Sequence, residues 1–295
     1  MYDTVMALIP DQAVVLAKVD YSETSQVIVF FTREHGKVRA IAKGIKRGTK
    51  KRFAVGIDLL DVGHVVVSSR RERGAALATV TEWKQTAANA GLREKLFRIH
   101  GAQYVVEITA GLTEDWDPHI ELFNALMATL RQLCEVSEPL TSVVRFQLAL
   151  LDSIGSLPRF ESCVQCSRRE DLLVFSSFEG GMVCKHCEPG QVEKRHVSPA
   201  TLERLWDLHS ATEGASPQAT APHTGLDPTV DVSDAGTGSH ASGRPGRASS
   251  NPKVQSEYVG PFDLLDYHIS HLMGRAPRMA SKLVSVQVRR RAGGG

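Results

Sequence analysis

Long hydrophobic runs are missing from this chain: no apolar stretch in its 295 residues approaches the roughly 18–20 that a membrane span requires. The basic start of a secretory signal is missing too, since Asp3 stands in residues 1–10 where Lys or Arg is expected. Both absences point to a cytoplasmic protein. Catalytic signatures are lacking as well: the chain holds no H-E-x-x-H, no G-x-S-x-G, no dinucleotide fingerprint and no G-x-x-x-x-G-K-[ST] phosphate loop. Without a legible nucleophile, tuned carboxylate pair or open metal position, the expectation is a protein that binds rather than catalyses. Cysteine is scarce and odd in number, at five, in a chain long enough to bury its cores without covalent help. In a reducing compartment such thiols bind metal, react or pack rather than pair.

Negative charge of one kind is also absent locally. The acids stop at Glu34 and resume at Asp58, and between them lie Lys37, Arg39, Lys43, Lys46, Arg47, Lys50, Lys51 and Arg52. The formal net charge of +2 hides this, because residues 1–80 carry 13 Lys and Arg against 8 Asp and Glu while the remainder sums to about −3. Eight like charges on so short a segment repel one another unless a polyanion neutralises them. A nucleic-acid backbone is the expected partner, with binding steep in salt and weak in sequence preference. The bland alternative is a solvated loop. Arg70, Arg71 and Arg73 extend the track or, with Glu72 among them, merely solubilise a turn.

What is present is 42% apolar and 23% charged, the composition of a soluble globular protein. QAVVLAKV, SQVIVFFT, KVRAIAKG, DVGHVVVSS and ALATVTEW read as five short strands, with a tight turn at Gly36 between the second and third. Five strands in one unit predict a small barrel of the OB-fold kind over residues 1–83. The apolar period then lengthens, and Leu92, Leu96, Ile99, Tyr104, Val105, Ile108 and Leu112 mark a helix. Residues 120–133, with Asp117 and Pro118 as cap and first helical residue, and residues 140–154 predict two more, so residues 84–158 form the first part of a helical domain. Its second part is expected at residues 196–210 and 257–285. Between these pieces, 30 of the 46 residues 211–256 are Gly, Pro, Ser, Ala or Thr, a composition that predicts a disordered insertion. Residues 286–295 are expected to form a flexible tail.

Residues 159–195 interrupt the helices with CVQC and CKHC, two knuckles whose facing cysteines are separated by 17 residues. That spacing predicts one structural zinc ion held by Cys163, Cys166, Cys184 and Cys187, with no position left for water or substrate. Two disulfides or four unrelated buried thiols are the alternative. The intervening stretch reads as a hairpin turning at Glu179, Gly180 and Gly181. Cys134, alone on a helix, is expected to pack in a core. His268 and His271, lacking a third ligand, read as partly exposed surface. The fold class is therefore α+β: an N-terminal five-stranded OB-fold barrel followed by an α-helical domain that carries a four-cysteine zinc finger.

This order of parts resembles the bacterial recombination mediator RecO family. AIAKGIKRGTKKRF is similar to the basic stretch after that family's third strand, and SIGSLPRFESCVQC with FSSFEGGMVCKHC to its zinc finger. The resemblance covers residues 1–209 and 257–285. It implies a mediator without a catalytic site that binds single- and double-stranded DNA, anneals complementary strands, contacts the tail of single-strand-binding protein, and works with RecR to load RecA. It also implies that Lys43, Lys46, Arg47, Lys50, Lys51 and Arg52 contact DNA. Two departures stand out: Lys50, Lys51 and Arg52 run together where the family usually has a hydroxyl residue among them, and the insertion at 211–256 is atypical. Two other function classes stay open: an RNA-binding or ribosome-associated module, and a zinc-dependent hydrolase in which one thiolate is not a ligand.

Overall fold

A computed structural model of the chain describes residues 6–45, 56–70, 77–213 and 257–284. Strands β1 (Met6–Asp20), β2 (Gln26–Thr32), β3 (Gly36–Ala42), β4 (Val62–Arg70) and β5 (Ala78–Ala87) close into a barrel in the order β1-β2-β3-β5-β4. Closure comes from β1, which pairs with β2 through Ala13–Asp20 and with β4 through Met6–Val14. A register shift between Val15 and Ala17 lets β1 bend from one neighbour to the other. The parallel contact of β3 with β5, at Ala40 with Ala78 and Ile41 with Thr79, completes the circuit. This is the five-stranded OB-fold expected from the sequence.

β1 is longer than the stretch from Gln12 that the sequence marked. Its first half contains Pro10, which cannot donate to a ladder and so reads as a strand breaker. Only β4 pairs with that half, because pairing to β2 begins at Ala13. A proline on a strand flanked on one side only sacrifices no inner hydrogen bond.

Two cores share the barrel wall. Inside, Ala13, Val15, Ile28, Phe30, Val38, Ala40, Val65, Val67 and Trp83 pack together, with the Phe30 and Trp83 rings 5.5 Å apart. Gly63 makes room for that indole, since a Cβ there would lie 2.9 Å from the ring. Outside, Val14, Leu16, Phe31 and Val62 belong to the core of the helical domain, and the Phe31 ring sits 6.2 Å from that of Phe123. Burial on both faces accounts for the unbroken VVL of β1 and VIVFF of β2, where a one-sided strand would alternate.

The helices are α1 (Leu96–Leu112), α2 (Ile120–Glu135), α3 (Leu140–Ser153), α4 (Pro199–Glu213) and α5 (Val259–Met273). Leu92 is buried but belongs to a separate 3-10 turn, Ala90–Glu94, and extended Lys95 divides it from α1. His119, rather than Asp117, is the residue before α2. Where α2 ends, the Arg98 guanidinium donates to the carbonyls of Cys134, Glu135 (3.0 Å) and Val136 (3.1 Å) and meets Glu94 at 3.1 Å. It thereby supplies partners to carbonyls that a helix end leaves orphaned. Cys134 packs at the edge of the same core, as expected.

The finger is a hairpin of β6 (Leu172–Ser176) and β7 (Gly181–Cys184), joined on the other side of β6 by β8 (Arg195–His196). Phe175 and Met182 extend from it into the helical core. His268 of α5 is buried, correcting the expectation of a partly exposed side chain: Nδ1 lies 2.8 Å from the Ser177 hydroxyl and Nε2 3.0 Å from the Ser156 carbonyl. Burial lowers the pKa of its imidazole, favouring a neutral ring that joins finger to bundle. The polar insertion and the basic tail lie outside the described residues, apart from the insertion's first helical residues on α4.

Candidate nucleic-acid interface and metal centre

The metal centre is built by turns. In the first knuckle the Ser167 N–H donates to the Cys163 carbonyl at 2.9 Å, with Ser167 at a positive φ of 60°. In the second, the Cys187 N–H donates to the Cys184 carbonyl at 3.0 Å. Each turn folds its pair of sulfurs to one side, and the Val164 N–H, bonded to the Met182 carbonyl at 2.9 Å, clamps the knuckles together. The sulfurs of Cys163, Cys166, Cys184 and Cys187 all lie within 4.8 Å of one another, and those of Cys166 and Cys184 are 3.6 Å apart. A tetrahedron of thiolates at a Zn–S length near 2.3 Å has edges of about 3.8 Å, so the cluster can hold one metal ion.

The electrostatics suit that use. Burial pushes the Cys163 thiol up, but the backbone N–H groups of Cys184, Cys166 and Gln165 point at its sulfur and bring it down to about 6. Burial likewise opposes ionisation of Cys184, where the N–H groups of Cys187 and His186 prevail and lower its pKa. Burial and the neighbouring thiols push Cys187 up to about 12. Four thiols so close do not all ionise unaided; a divalent cation removes that obstacle. The donor set is soft, four thiol sulfurs with no carboxylate or imidazole among them.

The second feature is the barrel rim where β3 ends. Lys43 follows Ala42 directly and is exposed, while Ile45 packs against the barrel core. Lys46, Arg47, Lys50, Lys51 and Arg52 lie outside the described residues. The chain resumes at Gly56, and Ile57 is again part of the barrel core, 3% exposed. Both ends of the cationic segment are thus fastened to the barrel. Asp58 meets Lys18 at 2.7 Å and Arg93 at 3.4 Å, and Asp115 meets Arg39 at 3.1 Å.

Lys37 does not join this track. It is 5% exposed, and its ammonium donates to the carbonyls of Ala110 (2.9 Å) and Thr113, at the end of α1, with Asp115 3.5 Å away. Its donors are consumed in fixing the barrel to the helical domain. Gly36 beside it has φ +67°, and a Cβ there would stand 1.8 Å from the Asp117 carbonyl oxygen. Arg39 keeps an exposed side chain but shares it with Asp115.

Sequence reasoning did not mark an open cleft of about 380 Å³ lined by Leu112, Glu114, Asp117, His119, Ser153 and Leu272. His119 bridges it, with Nδ1 2.9 Å from the Ser153 hydroxyl and Nε2 3.0 Å from the Asp117 carboxylate. Its acids set it apart from the cationic rim. Among the described residues, no helix is long and apolar enough to cross a membrane.

The sequence matches two family descriptions in tandem, the recombination protein O N-terminal domain over residues 6–88 and its C-terminal domain over residues 93–227. Its relatives include the DNA repair protein RecO of Bacillus cereus and that of Bacillus anthracis, each 33% identical over 181 residues, covering 61% of this chain and 71% of the relative. The RecO of Bacillus mycoides is 32% identical over 178 residues, covering 60% and 70%. The chain belongs to the recombination protein O family.

Proposed function

We propose that this protein is a non-catalytic recombination mediator in DNA repair, which holds single- and double-stranded DNA by its phosphates and anneals complementary strands. Its family membership supports the repair and recombination role. The observation that carries the mechanism is the cationic segment from Lys43 to Arg52, tethered to the barrel by Ile45 at one end and Ile57 at the other. The described residues flanking the run hold its two ends at the barrel, and each cation placed on a phosphate releases a condensed counterion. Lys43, Lys46, Arg47, Lys50, Lys51 and Arg52 are the proposed contacts, with Arg39 at their edge. Annealing follows because neutralising two backbones at one rim removes the repulsion between strands while leaving their bases free to pair.

The metal is proposed to be a single zinc ion, bound by Cys163, Cys166, Cys184 and Cys187 and acting in folding rather than chemistry. By family resemblance the partners are RecR, the tail of single-strand-binding protein and, through them, RecA, at the nucleoid in the cytoplasm. An annealing assay across a salt series, on bare strands and on strands coated with single-strand-binding protein, tests the reading. Replacing Lys46, Arg47, Lys50 and Lys51 together with Gln should flatten the salt dependence and leave thermal unfolding unchanged. An unaltered slope rejects the site. Tighter binding to matched RNA than to DNA would favour an RNA-binding module instead.

A further inference from the structure

The last ladder row at the rim runs across three strands, from Asp20 through Gln26 to Ala42. Tyr21 and Lys43 are each the next residue beyond it, on either side of the start of β2. Two strand spacings of about 4.8 Å put their backbones roughly 10 Å apart. Tyr21 is 67% exposed and Val19, two residues back, 64%. An exposed aromatic residue alone is ordinary; one beside the first lysine of a cationic run has a ligand at hand. The turn that carries it is fixed. The Tyr21 and Ser22 N–H groups both donate to the Ser25 carbonyl, at 3.0 and 3.2 Å, and the Ser22 hydroxyl accepts the Ser25 N–H at 3.2 Å.

We infer that Tyr21 is a base-stacking platform that works with Lys43 to favour single-stranded over double-stranded DNA, an inference that rests on the phosphate-binding role proposed above. Phosphate contacts alone do not make this choice, because both forms present them. An aromatic face does: an unpaired base can turn its π surface onto the ring, whereas bases in a duplex are already stacked on one another. Since every base has such a surface, the preference is for strandedness and not for sequence. Tyr is suited to the position, its ring offering contact area and its hydroxyl tolerating water.

The test uses the full chain with Tyr21→Ala and Tyr21→Phe, and three ligands of equal length: oligothymidine, an abasic strand and a duplex. Tyr21→Ala is expected to weaken oligothymidine binding about tenfold, within the range for loss of one base–aromatic stack, and to leave the abasic strand and the duplex unaffected. The slope of affinity against salt should not change, and Tyr21→Phe should bind like the parent. Parental oligothymidine binding by Tyr21→Ala, or an equal loss on all three ligands, overturns the inference. So does a larger loss on matched oligouridine than on oligothymidine, which would assign the platform to RNA. Failure of the phosphate reading is seen separately, as an unaltered salt slope in the fourfold Gln variant.

Discussion

The finger and the barrel rim gather their functional side chains in opposite ways. In the finger, four sulfurs converge within 4.8 Å, with backbone N–H groups already aimed at two of them. At the rim, cations are strung along the sequence, and the described residues on either side of them, Ile45 and Ile57, pack on the barrel core. One arrangement suits a small ion of fixed coordination, where an error of a few tenths of an ångström costs a bond. The other suits a long polyanion whose charges repeat, where no single contact decides. The finger should therefore fail sharply when one residue is lost, and the rim by degrees.

The largest expected effect breaks the finger. Cys184→Ser should reduce bound zinc from about one ion per chain to none and lower thermal stability by several kcal/mol, since the binding free energy of a structural zinc is folding free energy. Cys134→Ser, outside the cluster, should keep the ion. Metal analysis paired with thermal unfolding decides, and retention of a full equivalent by Cys184→Ser would dismiss the four-thiolate site. The DNA salt slope of any Cys184→Ser protein that stays folded should match the parent's, because the cations lie on another element.

A second pair of substitutions divides the basic segment into a structural and a binding part. Lys37→Ala strands carbonyls at the end of α1 and leaves Asp115 without one of its cations, so about 3 kcal/mol of stability should be lost with the salt slope unchanged. Lys43→Gln should do the reverse. Stability should stay within about 0.5 kcal/mol, as for a surface change, and the slope should fall by about one. Urea unfolding and a salt titration of DNA binding on the two variants suffice, and equal effects on both would erase the division.

The structural role of Lys37 is not legible in the sequence, where Lys37 and Lys43 are members of one run. What separates them is contact with residues 73 and 76 positions away in the chain, at Ala110 and Thr113. His268 escapes for the same reason, its hydroxyl partner Ser177 being 91 residues distant. Features fixed by neighbours are readable. The strands show through their β-branched runs, the β2–β3 turn through Gly36 with its φ of +67°, and the cluster of four sulfurs through the paired spacing of its cysteines. Local signals mislead where two structures share a pattern. Leu92 continues the helical period but sits on a separate turn, and the first strand, marked from Gln12 in the sequence, begins at Met6.

The smallest predicted effect asks whether the helical bundle under the finger has its own pH dependence. Tyr104 donates to the Asp266 carboxylate at 2.9 Å and accepts from the Gln147 amide at 2.7 Å, linking α1, α3 and α5. Burial raises Asp266 to about 6, although the Tyr104 hydroxyl pulls the other way. In the unfolded chain the same group titrates near its ordinary value of about 3.9. Between those values the folded state holds a proton that the unfolded state has released, so this group's contribution to stability is greatest below about pH 4 and declines as pH rises through 6. Asp266→Asn removes that decline while its amide oxygen can still accept the Tyr104 hydroxyl. It should raise the melting temperature at pH 7.5 by about 2–4 °C, and the gain should shrink toward zero at pH 4. Taking the difference between variant and parent at each pH cancels His268 and every other titrating group that the substitution leaves untouched. A gain that did not vary with pH would mean that packing, not ionisation, had changed.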